Sequence, residues 1–194
     1  MDPFETLNDD HRLIERMLTA LLTYSNRIDE ADPADLASFV VFFTEIGERH
    51  HTKEEGILFE AMFEVGFPRR TGPLATMRRE HDEARTLVGL LGEASARAAA
   101  WTDGDRAHVQ NTSRALVHLL RAHLLKEDTI IHPMARHNLP AECVASIAAR
   151  FEELDSSPEA RAERIALQVM AEILTARYGE APVRRPRYAV AVMN

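Results

Sequence analysis

Apolar residues recur at spacings of three and four along four long segments of the chain, which is the pattern of amphipathic helices. In the first segment, Leu7, Ile14, Leu18 and Leu21 share one face. Polar stretches with proline or glycine separate the segments and indicate short connections. The predicted helices are Phe4–Arg27, Asp35–Val65, Pro73–Ala100 and a segment from the turn at 102–105 to Ala135. We therefore predict an all-α fold, an antiparallel up-down-up-down four-helix bundle.

Two shorter helical segments, Ala141–Leu154 and Pro158–Tyr178, follow the fourth helix. We expect these additional C-terminal helices to pack on one side or one end of the bundle. The predicted division is a four-helix bundle at residues 1–140, a helical extension at 141–178 and a tail at 179–194.

Histidines interrupt the apolar faces of all four long helices. The first and third helices each have a single inward histidine, and the second and fourth each have a histidine followed four residues later by a glutamate. Residues four apart lie on the same face of a helix, so each pair can bind one object. The candidate ligands are His11, His50, Glu54, His81, His123 and Glu127.

A second pair in the same helix, His51 and Glu55, competes with His50 and Glu54 for the inward position. The residues in register with His50 are mostly apolar and those in register with His51 are more polar, so we place His51 and Glu55 on the flank. In the fourth helix the same periodicity puts Ile130 in the buried stripe. His132 could lie beside the ligands, although a surface position is favoured. The other histidines are expected in solvent: His51, His108, His118 and His137.

Two ionised carboxylates inside a helical bundle would destabilise it by several kcal/mol unless positive charge compensates them. Metal ions between the helices remove that cost. Imidazole and carboxylate ligands without thiolate suit iron, manganese or zinc. Six ligands are too many for one structural zinc and suit two metals bridged by Glu54 and Glu127. The pattern therefore predicts a two-metal site with a free coordination position on each ion.

Composition and charge narrow the class of partner. The net charge of −8 disfavours nucleic acid, whose phosphates require a basic surface. No apolar run reaches the length of a membrane span, and the N-terminus lacks the features of a signal peptide. A single cysteine excludes an internal disulfide and fits a cytoplasmic location. A second Glu-x-x-His, a His-Glu-x-x-His and a phosphate-binding glycine loop are all missing from the sequence.

Four segments of the chain form an ordered set of motifs: Asp10-His11-Arg12-Leu13-Ile14-Glu15, His50-His51-x-x-Glu54-Glu55-x-x-Leu58-Phe59, Glu80-His81 and His123-x-x-x-Glu127. In order and spacing, these four motifs resemble the hemerythrin family, in particular its bacterial HHE cation-binding branch. The resemblance covers roughly residues 4–136 and implies a di-iron centre, two Fe ions with an oxo or hydroxo bridge, in a four-helix bundle. Manganese or zinc could replace the iron.

The sequence departs from the oxygen-carrying hemerythrins at two places. Their third helix has His-x-x-x-His, whereas here Met77 precedes His81. Their last motif is His-x-x-x-x-Asp, whereas here both Glu127 and Asp128 follow His123. The helical register favours Glu127 as the bridging ligand and puts Asp128 toward the flank. The missing histidine disfavours reversible oxygen carriage.

Two hypotheses for function remain open. One is a redox-active di-iron protein that reacts with or senses O2, H2O2 or NO, with a peroxidase- or catalase-like activity as one form of this chemistry. The other is an iron-holding or redox-sensing module that regulates a partner through its C-terminal part. The resemblance extends to di-iron proteins implicated in repair of iron centres, but their cysteine-bearing N-terminal segment is not in this sequence. We expect a monomer or a homodimer.

Overall fold

The computed structural model describes residues 2–179, and within them helices connected by turns and bends make up the structure. Six helices follow one another, which confirms the prediction of an all-α protein. Two of them, α2 and α4, contain a π-helical turn between two α-helical parts. The helices are α1 (Pro3–Asn26), α2 (Asp35–Lys53, Glu54–Leu58 and Phe59–Glu64), α3 (Gly72–Ser95), α4 (Asp103–Lys126, Glu127–Ile131 and His132–Asn138), α5 (Ala141–Ser156) and α6 (Pro158–Tyr178).

Local sequence explains where several helices begin and end. The Asp2 carboxylate accepts a hydrogen bond from the Phe4 N–H at 3.0 Å, so α1 begins with its first turn capped. Thr102 and Asp105 form a reciprocal capping box at the start of α4. Gly66 has a φ of 104°, a conformation that favours glycine, and it follows the end of α2.

Contacts between helices confirm the antiparallel bundle. Near the end of α1, the backbone oxygen of Ser25 accepts a hydrogen bond from Gln110 near the start of α4 at 3.1 Å. Between α2 and α3, Arg85 pairs with Glu48 at 2.8 Å, while Arg78 approaches Glu55 further along α2. Each long helix thus packs against its neighbours in the chain, and α4 returns to α1.

The bundle interior has two apolar layers with polar residues between them. We call the larger of the two the lower layer, and it includes Leu18, Phe39 and Leu116. The upper layer includes Leu58 and Met77, and Phe151 of α5 joins it. Burial of these side chains contributes roughly 1.5–3 kcal/mol each and holds the four helices at fixed distances. The polar residues between the layers are therefore held by rigid packing on both sides.

The C-terminal helices pack on the bundle, and α6 lies against α1 and α2. Tyr178, at the end of α6, donates a hydrogen bond to Asp35 at 2.6 Å and its ring meets that of Tyr24 edge-on. Near the start of α6, Arg164 pairs with Asp10 of α1 at 3.2 Å. The division into a bundle and an extension stays a prediction, and the predicted tail lies outside the described residues from 180 onward.

The π-helical turns shift the register of α2 and α4. In α4, Ile130 is 43% exposed although the α-helical period predicted it to be buried, and Ile131 is buried in its place. The reason is that a π turn adds one residue to a helical turn and so rotates the following side chains. Two predicted ends were also wrong, since α3 ends at Ser95 and α4 continues to Asn138.

Across the part of the chain that the structure describes, every helix is too short or too polar to cross a membrane.

Leu174 and Ile173 of α6 test whether this helix is part of the cooperative fold. Leu174 is 1% exposed and Ile173 is 50% exposed. We expect Leu174→Ala to lower the free energy of unfolding by about 2–5 kcal/mol because it leaves a cavity. The neighbouring change Ile173→Ala should cost no more than about 0.5 kcal/mol. Denaturant unfolding measures both, and equal effects would mean that α6 is not docked as described.

Candidate metal centre

The structure brings all six predicted ligands together between the two apolar layers. They come from all four long helices, and each is at most 5% exposed. Their imidazole Nε2 atoms and carboxylate oxygens form two clusters that share both glutamates. The first cluster is His11, His50, Glu54 and Glu127, and the second is Glu54, His81, His123 and Glu127.

In the first cluster, the Nε2 atoms of His11 and His50 are 3.2 Å apart. His11 Nε2 lies 3.2 Å from Glu127 Oε2, and His50 Nε2 lies 3.5 Å from Glu54 Oε2. Two donors bound to one ion at about 2.1 Å and at a right angle lie about 3 Å apart. The spacing of the donor atoms therefore fits a single metal ion.

The second cluster repeats this arrangement on α3 and α4. The Nε2 atoms of His81 and His123 are 3.0 Å apart. His81 Nε2 lies 3.3 Å from Glu54 Oε2, and His123 Nε2 lies 2.6 Å from Glu127 Oε1. Because the same two carboxylates serve both clusters, the arrangement fits two ions with Glu54 and Glu127 between them.

The carboxylates themselves test whether a metal fits here. All four oxygens of Glu54 and Glu127 are buried, and the side chains of the described residues that approach them with positive charge are imidazoles. A buried carboxylate without a positive partner is strongly destabilising, and either protons on these imidazoles or metal ions remove that penalty. Nitrogen and oxygen donors without thiolate suit iron, manganese or zinc. The buried groups could therefore hold metal ions.

Each ligand histidine has a carboxylate behind it, on the ring nitrogen that faces away from the centre. Three of the Nδ1–H groups donate hydrogen bonds: His11 to Asp128 at 2.9 Å, His81 to Glu55 at 2.8 Å and His123 to Glu80 at 3.0 Å. The fourth, His50 Nδ1, lies 3.6 Å from Asp10 Oδ2. Such partners fix the tautomer that directs Nε2 to a metal and make the imidazole a better ligand.

Sequence reasoning had not assigned a role to these outer carboxylates. Asp10, Glu80 and Asp128 each lie directly beside a candidate ligand in the chain, as does Glu55. That adjacency was the available signal, but it does not show which helix a side chain reaches. Asp128 does lie on the flank as expected, 47% exposed, and from there it contacts His11 of α1.

The π-helical turns begin at the two shared glutamates. One spans Glu54–Leu58 and the other Glu127–Ile131. In each case the preceding α-helix carries the histidine four residues earlier, so the His–Glu pair keeps α-helical spacing. The residues after the glutamate are rotated, which lets Leu58 and Ile131 enter the upper apolar layer. Such turns are common at functional sites.

Two histidines expected at the surface are buried beside the centre. His51 is 8% exposed and stacks on His81 with ring centroids 4.0 Å apart. His132 is 4% exposed, stacks on His11, and its Nε2 lies 4.0 Å from Glu54 Oε1. Packing of α3 against α2 covers the first, and the π turn in α4 rotates the second inward. Three others are exposed as predicted: His108, His118 and His137.

The shared glutamates set the charge of the surrounding histidines. Burial acts to lower the pKa of His50, but Glu54, Asp10 and Glu127 outweigh it and raise that pKa to about 10. Burial is likewise overcome at His81, whose pKa rises to about 11. The pKa of Glu127 is held well below its usual value because the charges of nearby histidines outweigh its burial. Protons on imidazoles thus balance the carboxylates when metal is absent.

The two additional histidines behave differently. Burial, together with the charges of His81 and His50, lowers the pKa of His51 to about 2. Burial also lowers the pKa of His132. Both imidazoles are therefore neutral at pH 7 and bring no positive charge to the centre.

Comparison with known proteins agrees with this geometry. A sequence profile described as the hemerythrin HHE cation-binding domain matches residues 2–135, more than half of the chain. The chain belongs to the hemerythrin family. The family match covers α1 to α3, α4 as far as residue 135 and every residue of both clusters, and the domain it describes binds cations.

Curated relatives of this hemerythrin-family chain include uncharacterized proteins of Mycobacterium bovis and Mycobacterium tuberculosis. Each is 24% identical over 153 residues, which is 77% of this chain and 59% of the relative. The chain thus spans less than two thirds of the length of these proteins. No solved structure matches the chain significantly.

Metal binding should release protons from the centre. His50 and His81, with pKa values of about 10 and 11, are charged at pH 7 in the metal-free protein. A metal binds only the neutral nitrogen, so we expect about two protons to leave per chain and the affinity to rise with pH up to those pKa values. Calorimetric titration with a divalent metal in buffers of different ionisation enthalpy measures the number. Loading without proton release would contradict the charge balance described above.

Proposed function

We propose that the six central residues bind two iron ions and that this di-iron centre reacts with or senses O2, H2O2 or NO. The observation that carries the proposal is the pair of buried glutamates shared by two histidine pairs. Iron accepts mixed imidazole and carboxylate ligands and supplies redox chemistry toward such small molecules. A peroxidase- or catalase-like activity is one form that this reaction could take.

The residues around the centre support reaction over simple storage. In each cluster, four side chains are donors, fewer than the six of an octahedral ion. Met77, one turn before His81, stands where the oxygen-carrying hemerythrins have another histidine. It is 1% exposed and joins the upper apolar layer, so the second cluster has no further imidazole from this position. The positions not used by protein groups are the ones that a small molecule can bind.

The geometry supports Glu127 over Asp128 as the shared carboxylate. Glu127 contacts His11 and His123 and is fully buried, whereas Asp128 is bonded to the outer nitrogen of His11. The protein's role is then to orient the two pairs of imidazoles through the carboxylates behind them and to bury the six ligand side chains away from water.

Metal analysis and spectroscopy of the purified full chain test the proposal. We expect two irons per chain and an absorption spectrum that changes with peroxide, O2 or NO. Glu127→Ala should lose most of the iron because it removes a ligand of both clusters, whereas the matched change Glu83→Ala, at an exposed position of α3, should retain it. One zinc per chain, or iron-loaded protein inert to all three molecules, would contradict the proposal.

A second candidate, a sensor, is favoured by a chain of ion pairs from the centre to the C-terminal helices. Asp10, behind His50, contacts the fully buried Lys53 at 3.3 Å. Lys53 in turn contacts Asp155 of α5 at 2.8 Å, and Arg164 of α6 reaches Asp10. Occupancy of the centre would change the charge beside Asp10 and thereby the strength of these contacts.

Hydrogen exchange tests the sensor hypothesis. We expect amides of α5 and α6 to exchange more slowly with metal than without it. Metal binding removes a proton from His50, which changes the electrostatic attraction between His50 and Asp10 and therefore the ion pairs of Asp10 with Lys53 and Arg164. Lys53→Met removes the contact with Asp155 of α5 while keeping an apolar stem and leaving Arg164 on Asp10, so the difference should shrink in α5. Identical exchange in α5 and α6 with and without metal would remove the support for a sensor.

A further inference from the structure

An apolar cavity of about 340 Å³ lies between α2 and α3 and reaches the metal centre from the side of the lower layer. We call it the α2–α3 cavity. An apolar protein cavity of about 150 Å³ is already large enough to hold benzene. The α2–α3 cavity is therefore larger than a diatomic gas or hydrogen peroxide requires. Its apolar walls come from the lower layer and include Phe43, Ile46, Ala84, Val88, Leu120 and Leu124.

The inner end of the cavity touches the candidate ligands. His50 of the first cluster and His123 of the second both line it, together with His51. His51 is buried, and its Nδ1 has no hydrogen-bond partner among the described residues. A molecule in the cavity would thus have apolar walls along most of its length and an imidazole donor or acceptor at the metal end.

Three glycines line the cavity between the helices. Gly47 of α2 and Gly89 and Gly92 of α3 all line it. A Cβ at Gly89 would meet nothing within 4 Å, and one at Gly92 would touch Val40 across the gap at 3.5 Å. Glycine in the middle of a helix destabilises it by about 1 kcal/mol relative to alanine. Since alanine would fit at Gly89 without a clash, helix packing does not explain this glycine.

The charge at the entrance disfavours ionised ligands. Arg85 lines the cavity with Glu48, to which it is paired at 2.8 Å. Arg85 also contacts Asp82 at 3.0 Å and Glu55 at 3.4 Å. Three carboxylates already neutralise the Arg85 guanidinium, so it does not attract an anionic ligand. Among the described residues, the buried walls of the cavity contain no carboxylate that could pair with a cation.

Polar molecules have a different approach to the centre. A groove between α1 and α4, lined by His11, His132 and arginines such as Arg16 and Arg121, borders the opposite side of the first cluster. Small polar species and protons can use this groove, so the α2–α3 cavity is not needed for them.

We propose that the α2–α3 cavity binds an uncharged, predominantly apolar organic molecule beside the metal centre. Within the peroxide class of the proposed function, on which this inference rests, the matching substrate is an organic hydroperoxide. Its apolar part fills the cavity and its small polar end lies near His50, His51 and His123.

Binding of an unreactive probe tests the cavity independently of iron chemistry. Calorimetric titration of the full, metal-loaded chain with 2-phenyl-2-propanol, the alcohol that corresponds to cumene hydroperoxide, should show saturable binding at one site. Benzenesulfonate, which is of similar size but charged and is a poor metal ligand, should bind at least about tenfold more weakly, a difference of about 1.4 kcal/mol.

Variants of α3 locate the site. Ala84→Leu fills the cavity from inside and Gly89→Phe obstructs it at an exposed rim, and each should weaken the probe by about tenfold or more. The control Ala115→Leu makes the same alanine change on the exposed face of α4 and should bind as the original chain does. Gly89→Phe also covers the case in which Ala84→Leu fails to fold.

The outcomes separate this inference from the proposed function. No saturable binding of the alcohol up to its solubility limit, or binding in both α3 variants as tight as in the original chain, would overturn the cavity site. Equal affinity for benzenesulfonate would overturn the selection for uncharged ligands. Binding as expected by protein whose metal is not iron would uphold the cavity and contradict the di-iron function instead.

Discussion

Two carboxylates at the middle of the bundle, Glu54 and Glu127, set the requirement that the rest of the structure meets. Both are fully buried, and the side chains of the described residues that can bring positive charge to them are imidazoles. Without compensation they would destabilise the fold by several kcal/mol. Four imidazoles surround them, and protons on these rings balance the charge in the metal-free state. Metal ions would replace those protons, so folding, proton binding and metal binding are linked at one point.

The surroundings of the imidazoles follow from this requirement. A partner on the outer nitrogen of a histidine fixes the tautomer that directs Nε2 to the centre, and a carboxylate lies behind each ring. Asp10 differs from the other three because it is itself buried and paired with Lys53 and Arg164. The C-terminal helices thereby contact the centre through charge, in addition to their apolar packing on α1 and α2.

The two sides of the centre differ in chemistry. The α1–α4 side is a polar groove with arginines and His132, and the α2–α3 side is an apolar cavity bounded by glycines. In the proposed function, this asymmetry would separate the approach of polar species and protons from that of an apolar substrate. It also gives the two buried neutral histidines different environments, although each stacks on one ligand ring.

The sequence by itself predicted the helices, their antiparallel order and the six inward residues, because helical periodicity relates spacing directly to a shared face. The hemerythrin family was likewise evident from His11, His50, Glu54, His81, His123 and Glu127 in order. Only the tertiary structure revealed the π turns, which bury Ile131 and His132 in place of Ile130. Periodicity could not predict them, since one inserted residue changes the register without changing composition. The outer carboxylates, the burial of His51 and the cavity also depended on the structure, because each is created by side chains from helices that are distant in the chain.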